Sequence, residues 1–190
     1  MTPGSPDALL DLVLDRAPTL GGGRLVCLDG PAGSGKTTLA AGIGEALQQR
    51  GRPAPMVVHM DDLFPGWSGL GEVDAQLADL LLPLAQGQSG CYRRYDWHAG
   101  EFAELVVVEP VPLLVVEGVG SGSARFADLV TLLVWVEAPY DLRMRRGLER
   151  DGDAFAPHWD SWARDEAELF ARERTRERAD VCLDGTLPWL

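Results

Sequence analysis

Apolar residues fall along this chain in two rhythms. Unbroken runs occur at Leu25-Val26-Cys27-Leu28, Met56-Val57-Val58, Leu105-Val106-Val107-Val108, Leu113-Leu114-Val115-Val116, Val130 to Val136 and Val181-Cys182-Leu183. Their length is that of strands, and their lack of alternation suits strands covered on both faces of a parallel sheet. Helical spacing takes over between the runs. Leu39, Ala40, Ile43, Ala46 and Leu47 share one face, as do Leu77, Leu80, Leu81 and Leu84. Tyr140 to Arg150 and Trp159 to Arg176 read as helices, the second with Trp159, Trp162, Glu166, Leu169 and Phe170 along one stripe that suits core packing. Within residues 1–20 a short amphipathic helix is predicted, with Ser5 as its cap, Pro6 at its first position, and Leu9, Leu10, Val13 and Leu14 inward. Strands alternating with helices imply right-handed crossovers and one α/β domain over residues 1–190. The expected architecture has three layers, with a mostly parallel five-stranded sheet flanked by helices and a short helical lid at roughly 141–176.

Between the first strand and its helix stands Gly30-Pro31-Ala32-Gly33-Ser34-Gly35-Lys36-Thr37. This fits G-x-x-x-x-G-K-[ST], the phosphate-binding P-loop, in the strand–turn–helix context that the motif requires. Glycines let backbone N–H groups turn toward phosphate oxygens, and the helix N-terminus adds partial positive charge. Gly30, Ala32, Gly33, Ser34, Gly35, Lys36, Thr37 and Thr38 are therefore the expected nucleotide-binding set, in a P-loop NTPase fold. Lys36 would reach the β- and γ-phosphates of ATP, and the Thr37 hydroxyl would ligate Mg²⁺. Lys36 is also the only lysine among seventeen basic residues. A compact ammonium fits a tight loop where a planar guanidinium does not.

Composition narrows the partners. The net charge of −12 argues against nucleic acid and against anionic membrane surfaces. No apolar stretch reaches membrane-spanning length, no secretory signal is visible, and the three cysteines form neither a disulfide nor a zinc pattern. A cytoplasmic protein acting on a small molecule is expected, and self-association into a homo-oligomer is compatible with the composition.

Other residues fall at the strand ends, where ligands of such sheets bind. Asp61 follows the second strand and can serve as a general base for an attacking hydroxyl, while Asp62 suits capping of the next turn. Glu117 ends a strand and can hold Mg²⁺ waters. Arg143, Arg146 and Arg150 share a helix face ahead of Asp151-Gly152-Asp153, a segment expected to be flexible. Such arginines can close over a transferring phosphoryl group. Arg146 and Arg150 are thus candidate catalytic residues beside Lys36 and Asp61, and Arg143 is a candidate nucleotide contact. Cys91 to His98 reads as a loop whose aromatics suit stacking on a flat ring, Trp97 included, or ordinary half-buried packing. The loop at Asp184-Gly185-Thr186 is where adenine contacts are expected.

In order along the chain, these segments resemble the uridine kinase family of P-loop nucleoside kinases. The P-loop, Met60-Asp61-Asp62-Leu63-Phe64, Val73-Asp74-Ala75, Tyr95-Asp96-Trp97, Val116-Glu117-Gly118, Arg143-x-x-Arg146-x-x-x-Arg150-Asp151 and Ala179-Asp180-Val181 carry the likeness. The resemblance implies ATP- and Mg²⁺-dependent phosphorylation of a nucleoside 5′-hydroxyl, uridine or cytidine first. It also implies Asp61 as base, and Asp74, Tyr95 and His98 as nucleoside contacts. The chain departs from the family in lacking a histidine-serine-arginine after Tyr95-Asp96-Trp97, and in the glycine-rich stretch with Trp67. A nucleoside monophosphate or another small hydroxylated metabolite is the alternative acceptor, and a nucleotide-dependent ATPase or switch is the third reading.

Overall fold

The computed structural model describes residues 4–152 and 156–189. In chain order the elements are α1 (Pro6–Asp15), β1 (Arg24–Asp29), α2 (Lys36–Gln49), β2 (Met56–His59), α3 (Val73–Ala85), β3 (Gly90–Asp96), β4 (Glu101–Val108), β5 (Leu113–Glu117), β6 (Leu132–Glu137), α4 (Tyr140–Asp151), α5 (Trp159–Glu173), α6 (Thr175–Arg178) and β7 (Val181–Asp184).

Five strands form one sheet in the order β2-β5-β1-β6-β7, and every pairing is parallel. The unbroken apolar runs are explained by cover on both faces. Within β1, Leu25 and Cys27 join Leu77, Leu80, Leu81, Trp162 and Leu169 on the side of α3 and α5. Val26 and Leu28 join Leu9, Leu10, Val13, Leu39, Ile43 and Leu47 on the side of α1 and α2. The three expected layers are therefore present. Ser5 caps α1 by accepting the Ala8 N–H at 3.3 Å, and Pro6 sits at the first helical position. Arg50 at the end of α2 ties the two helices through Asp7 and Asp11, each at 2.7 Å.

Three expectations need correction. The Leu105–Val108 run does not join the main sheet; it is the end of β4, paired antiparallel with β3 in a separate two-stranded sheet. Cys91 to Asp96, read as loop, is most of β3. The lid's second helix stops at Glu173, because Arg174 adopts a left-handed conformation (φ 51°) and starts the short α6. Of the segment expected to be flexible, Asp153 lies outside the described residues. Among the described residues, no helix is long and apolar enough to cross a membrane.

Candidate active site

A parallel sheet directs its strand ends to one side, and three of them converge here. β1 ends in Asp29 and opens into the phosphate loop, β2 ends in His59 just before Asp61, and β5 ends in Glu117. The loop owes its path to its glycines. Gly30, Gly33 and Gly35 all have positive φ, at 134°, 77° and 106°. A Cβ on Gly30 would lie 2.1 Å from the Val136 carbonyl oxygen, and one on Gly33 2.5 Å from that of Arg143. Only glycine permits these approaches.

Asp29 anchors the floor. Its buried carboxylate accepts N–H groups from Gly30 (2.7 Å), Gly120 (2.9 Å) and Gly122 (2.8 Å), joining the phosphate loop to the turn after β5. Burial pushes its carboxyl above the ordinary range, against the pull of those amides and of Lys36. Helix α2 then starts at Gly35 with no side-chain cap, so the first amides of the helix face outward from its N-terminus. That arrangement accepts an anion, and the expected phosphate contacts Lys36, Thr37 and Thr38 are the first three residues of the helix.

The Lys36 ammonium is buried and donates to the carbonyls of Gly30 (2.8 Å) and Pro31 (3.0 Å). Burial pulls its pKa down, opposed by the carboxylates of Glu117, Asp29, Glu166 and Asp61. The Thr37 hydroxyl donates to Glu117 Oε1 at 3.0 Å, so the two expected metal-holding groups are adjacent. Their chemistry, a hydroxyl and a carboxylate beside a phosphate loop, fits Mg²⁺. The same Glu117 oxygen is 2.6 Å from His59 Nδ1. Burial would raise the Glu117 pKa, but the His59 hydrogen bond and the Lys36 charge hold it below the usual carboxylate range. The hydrogen bond to Glu117 lifts that of His59.

Asp61 sits in a single 3₁₀ turn, Met60–Asp62, and its carboxylate is exposed. Arg150 Nη2 approaches it to 3.9 Å. Asp62 is half-buried, and burial raises its pKa. The Trp97 indole N–H donates to the Asp61 carbonyl at 2.9 Å. Trp97 in turn meets Trp67 and Tyr95 edge-on, with centroids 4.9 and 5.3 Å apart. The His158 ring lies parallel to Trp67 at 4.7 Å. An aromatic wall thus runs from the hairpin past Asp61 to the lid. Asp74 occupies the first turn of α3, and His98 is exposed in the hairpin turn, where its backbone N–H is held by Asp96.

Two of the arginines depart from expectation. Arg143 is buried and bonded to the Ala138 and Ala32 carbonyls and to Glu166, rather than turned toward the cradle. Arg146 donates to the carbonyls of Gly33 (3.3 Å) and Gly185 (3.0 Å), bracing the loop from outside. A shared helix face was visible in the sequence, but not the surface it would meet. Arg150 alone of the three approaches Asp61. Gly185, in the loop expected near adenine, abuts the Ser34 carbonyl, so that loop borders the cradle.

Sequence reasoning missed His59 and the loop contact of Glu166. Strand register sets His59 opposite Glu117, 58 residues away, which no local pattern reveals. The signal for Glu166 was one acid in an otherwise apolar stripe.

Residues 73–154 match the family model "Phosphoribulokinase / Uridine kinase family". That stretch is about two fifths of the chain, and it includes Asp74, Tyr95, Glu117 and the lid arginines but not the phosphate loop. No curated protein sequence matches significantly. Among solved structures, the chain is similar to a "possible uridine kinase" from Bacillus stearothermophilus, at 21% identity and TM-score 0.65, covering 94% of this chain and 97% of that one. It is also similar to a "putative fructose transport system kinase" from Silicibacter sp. TM1040, at 23% identity and TM-score 0.61, covering 94% and 98%. Over residues 73–154 the chain is therefore similar to that family. At such identities the two structures speak for the fold alone; in this chain the phosphate loop, Asp61 and Glu117 follow or end three adjacent strands, β1, β2 and β5.

Proposed function

We propose that this protein is an ATP-dependent kinase that transfers the γ-phosphoryl group to a hydroxyl of a small molecule, best of all the 5′-hydroxyl of a nucleoside such as uridine or cytidine. One observation carries the reading: an exposed carboxylate, Asp61, follows β2, and the intervening β5 ends in Glu117, which accepts a hydrogen bond from Thr37 beside the phosphate loop. In the reaction the acceptor oxygen bonds to the γ-phosphorus, its proton passes to Asp61, and the bond to the bridging oxygen breaks to release ADP. Thr37 and Glu117 would hold Mg²⁺, which would neutralise phosphate charge. Lys36 would leave its loop carbonyls for the phosphates, and Arg150 would approach the transferring group from the lid. Such catalysis is chiefly positioning and charge stabilisation. The wall of Trp97, Tyr95 and Trp67 supports an acceptor with a flat ring, since stacking tolerates many rings and leaves the hydroxyl free.

The monophosphate alternative needs an arginine available at the acceptor side. Arg94 is instead engaged with both oxygens of Glu104, at 2.6 and 3.0 Å. Arg93, the other candidate, is exposed, so the acceptor is decided by assay. The decisive assay presents nucleosides, their monophosphates and small sugars with ATP and Mg²⁺, and follows ADP release. Acceptor-dependent release with uridine or cytidine is the expected result. Release that no acceptor alters would instead indicate an ATPase or switch.

A further inference from the structure

A loop that turns its amides inward turns its carbonyls outward, and those need donors. Around this loop the donors can be followed residue by residue. Lys36 serves Gly30 and Pro31, Arg146 serves Gly33, and the Leu39 N–H serves Gly35. Ala32 is held differently. Its N–H donates to Glu166 Oε2 at 2.9 Å, its carbonyl accepts from Arg143 Nη1 at 3.0 Å, and those two side chains pair with each other at 2.9 Å. One acid and one base thus grip a single loop residue at both of its backbone polar groups.

The pair is dry. The side chains of Arg143 and Glu166 are 10% and 3% exposed. The guanidinium lies 5.7 Å from the ring centres of both Tyr140 and Trp159. Burial pushes the Glu166 carboxyl upward, and the Ala32 N–H and Arg143 oppose it. The loop residue and the guanidinium thus offset part of what burial costs this carboxylate.

We propose that Arg143 and Glu166 are a positioning pair for nucleotide binding: they fix the tip of the phosphate loop and couple helices α4 and α5 to the nucleotide. The proposal rests on the reading of this loop as an ATP site. For fold stability alone the pair is a poor device, because two apolar residues of similar volume serve as well or better. What apolar residues cannot do is grip an N–H and a C=O together. Coupling of this kind is reciprocal, so ATP favours the docked position of α5 by the same factor by which the docked α5 favours ATP.

The test compares the apolar double variant Arg143→Met/Glu166→Leu with wild type, reading ATP affinity by calorimetry, acceptor affinity by tryptophan fluorescence, and Tm. The expected result is a Tm near that of wild type with ATP binding about tenfold weaker and acceptor binding unchanged. Glu166→Gln, which keeps an oxygen for the Ala32 N–H, should recover most of the affinity that Glu166→Ala loses. If the double variant does not fold, the comparison of those two single variants decides alone. Wild-type ATP affinity in the double variant, or equal losses in Glu166→Gln and Glu166→Ala, would overturn the proposal. Failure of the wild type itself to bind ATP would overturn the nucleotide reading beneath it.

Discussion

Replacing Gly33 by alanine tests the contact between the phosphate loop and helix α4. The new methyl carbon would lie 2.5 Å from the Arg143 carbonyl oxygen, 2.9 Å from its Cα and 3.0 Å from its carbonyl carbon. All three are backbone atoms, and ordinary contacts begin near ~3.5 Å, so something must retreat by about 1 Å. Helix α4 has little freedom to do so. The Arg143 N–H is bonded to Pro139, and its guanidinium is bonded to Ala32, Ala138 and Glu166. The loop itself should therefore move. A shift of about 1 Å in positioning costs roughly 100-fold in rate. The positive φ of Gly33, 77°, adds strain for any L-residue, about 1–2 kcal/mol. At roughly 2–4 °C per kcal/mol for a chain this long, Tm should fall by about 2–8 °C. The assay is steady-state ADP release with the best acceptor, alongside calorimetric unfolding and ATP titration. A variant with wild-type kcat/KM but lowered Tm would refute the reasoning, since α4 would then have yielded in place of the loop.

Further outcomes follow from the same geometry. Asp61→Asn should leave ATP affinity intact and lower kcat by about 10²–10⁴-fold, the usual contribution of a general base; a normal kcat would remove Asp61 from that role. Trp97→Ala removes the indole that bonds the Asp61 carbonyl and meets Trp67 and Tyr95. It should raise the acceptor KM by roughly tenfold with ATP unaffected, and an unchanged acceptor KM would discard the aromatic wall as a binding surface. The His59–Glu117 pair gives a pH prediction for the metal-free protein. His59 is raised above 6.5, so its contribution is complete below that value and disappears as pH rises through its folded pKa. Glu117 is depressed below 4.5, so its contribution is complete above that value and disappears as pH falls through its folded pKa. The Tm gap between wild type and His59→Ala should be widest near pH ~5–6 and narrow in mildly alkaline buffer. A gap independent of pH would refute the pairing.

The elements legible in the sequence are those whose signals are local. Ser5-Pro6 marks the start of α1, four leucines mark α3, and the phosphate-loop motif marks the turn between β1 and α2. Five of the six apolar runs are strands of the parallel sheet. The hairpin escaped notice because β3 carries Arg93, Arg94 and Asp96 among its aromatics, and a register irregularity between Arg93 and Tyr95 breaks its alternation. Tertiary placement accounts for the rest. Helical spacing groups Arg143 with Arg146 but says nothing of the carbonyls they meet, 111 and 113 positions earlier in the chain. Glu166 and His59 likewise depend on partners that only the folded sheet brings near.

The two-stranded sheet hangs from α3 rather than from the main sheet. Gln76 bonds both backbone groups of Arg93, and Gly90 packs against the Leu80 carbonyl with no room for a side chain. Two antiparallel strands alone are marginally stable, so this arm borrows its rigidity from α3 and from the Trp97 contacts with the Asp61 carbonyl and Trp67. Under the proposed function, the arm and the phosphate loop would grip acceptor and donor from largely separate supports. On that reading, grafting a different arm onto α3 should change which acceptor is taken while the phosphate loop stays as it is.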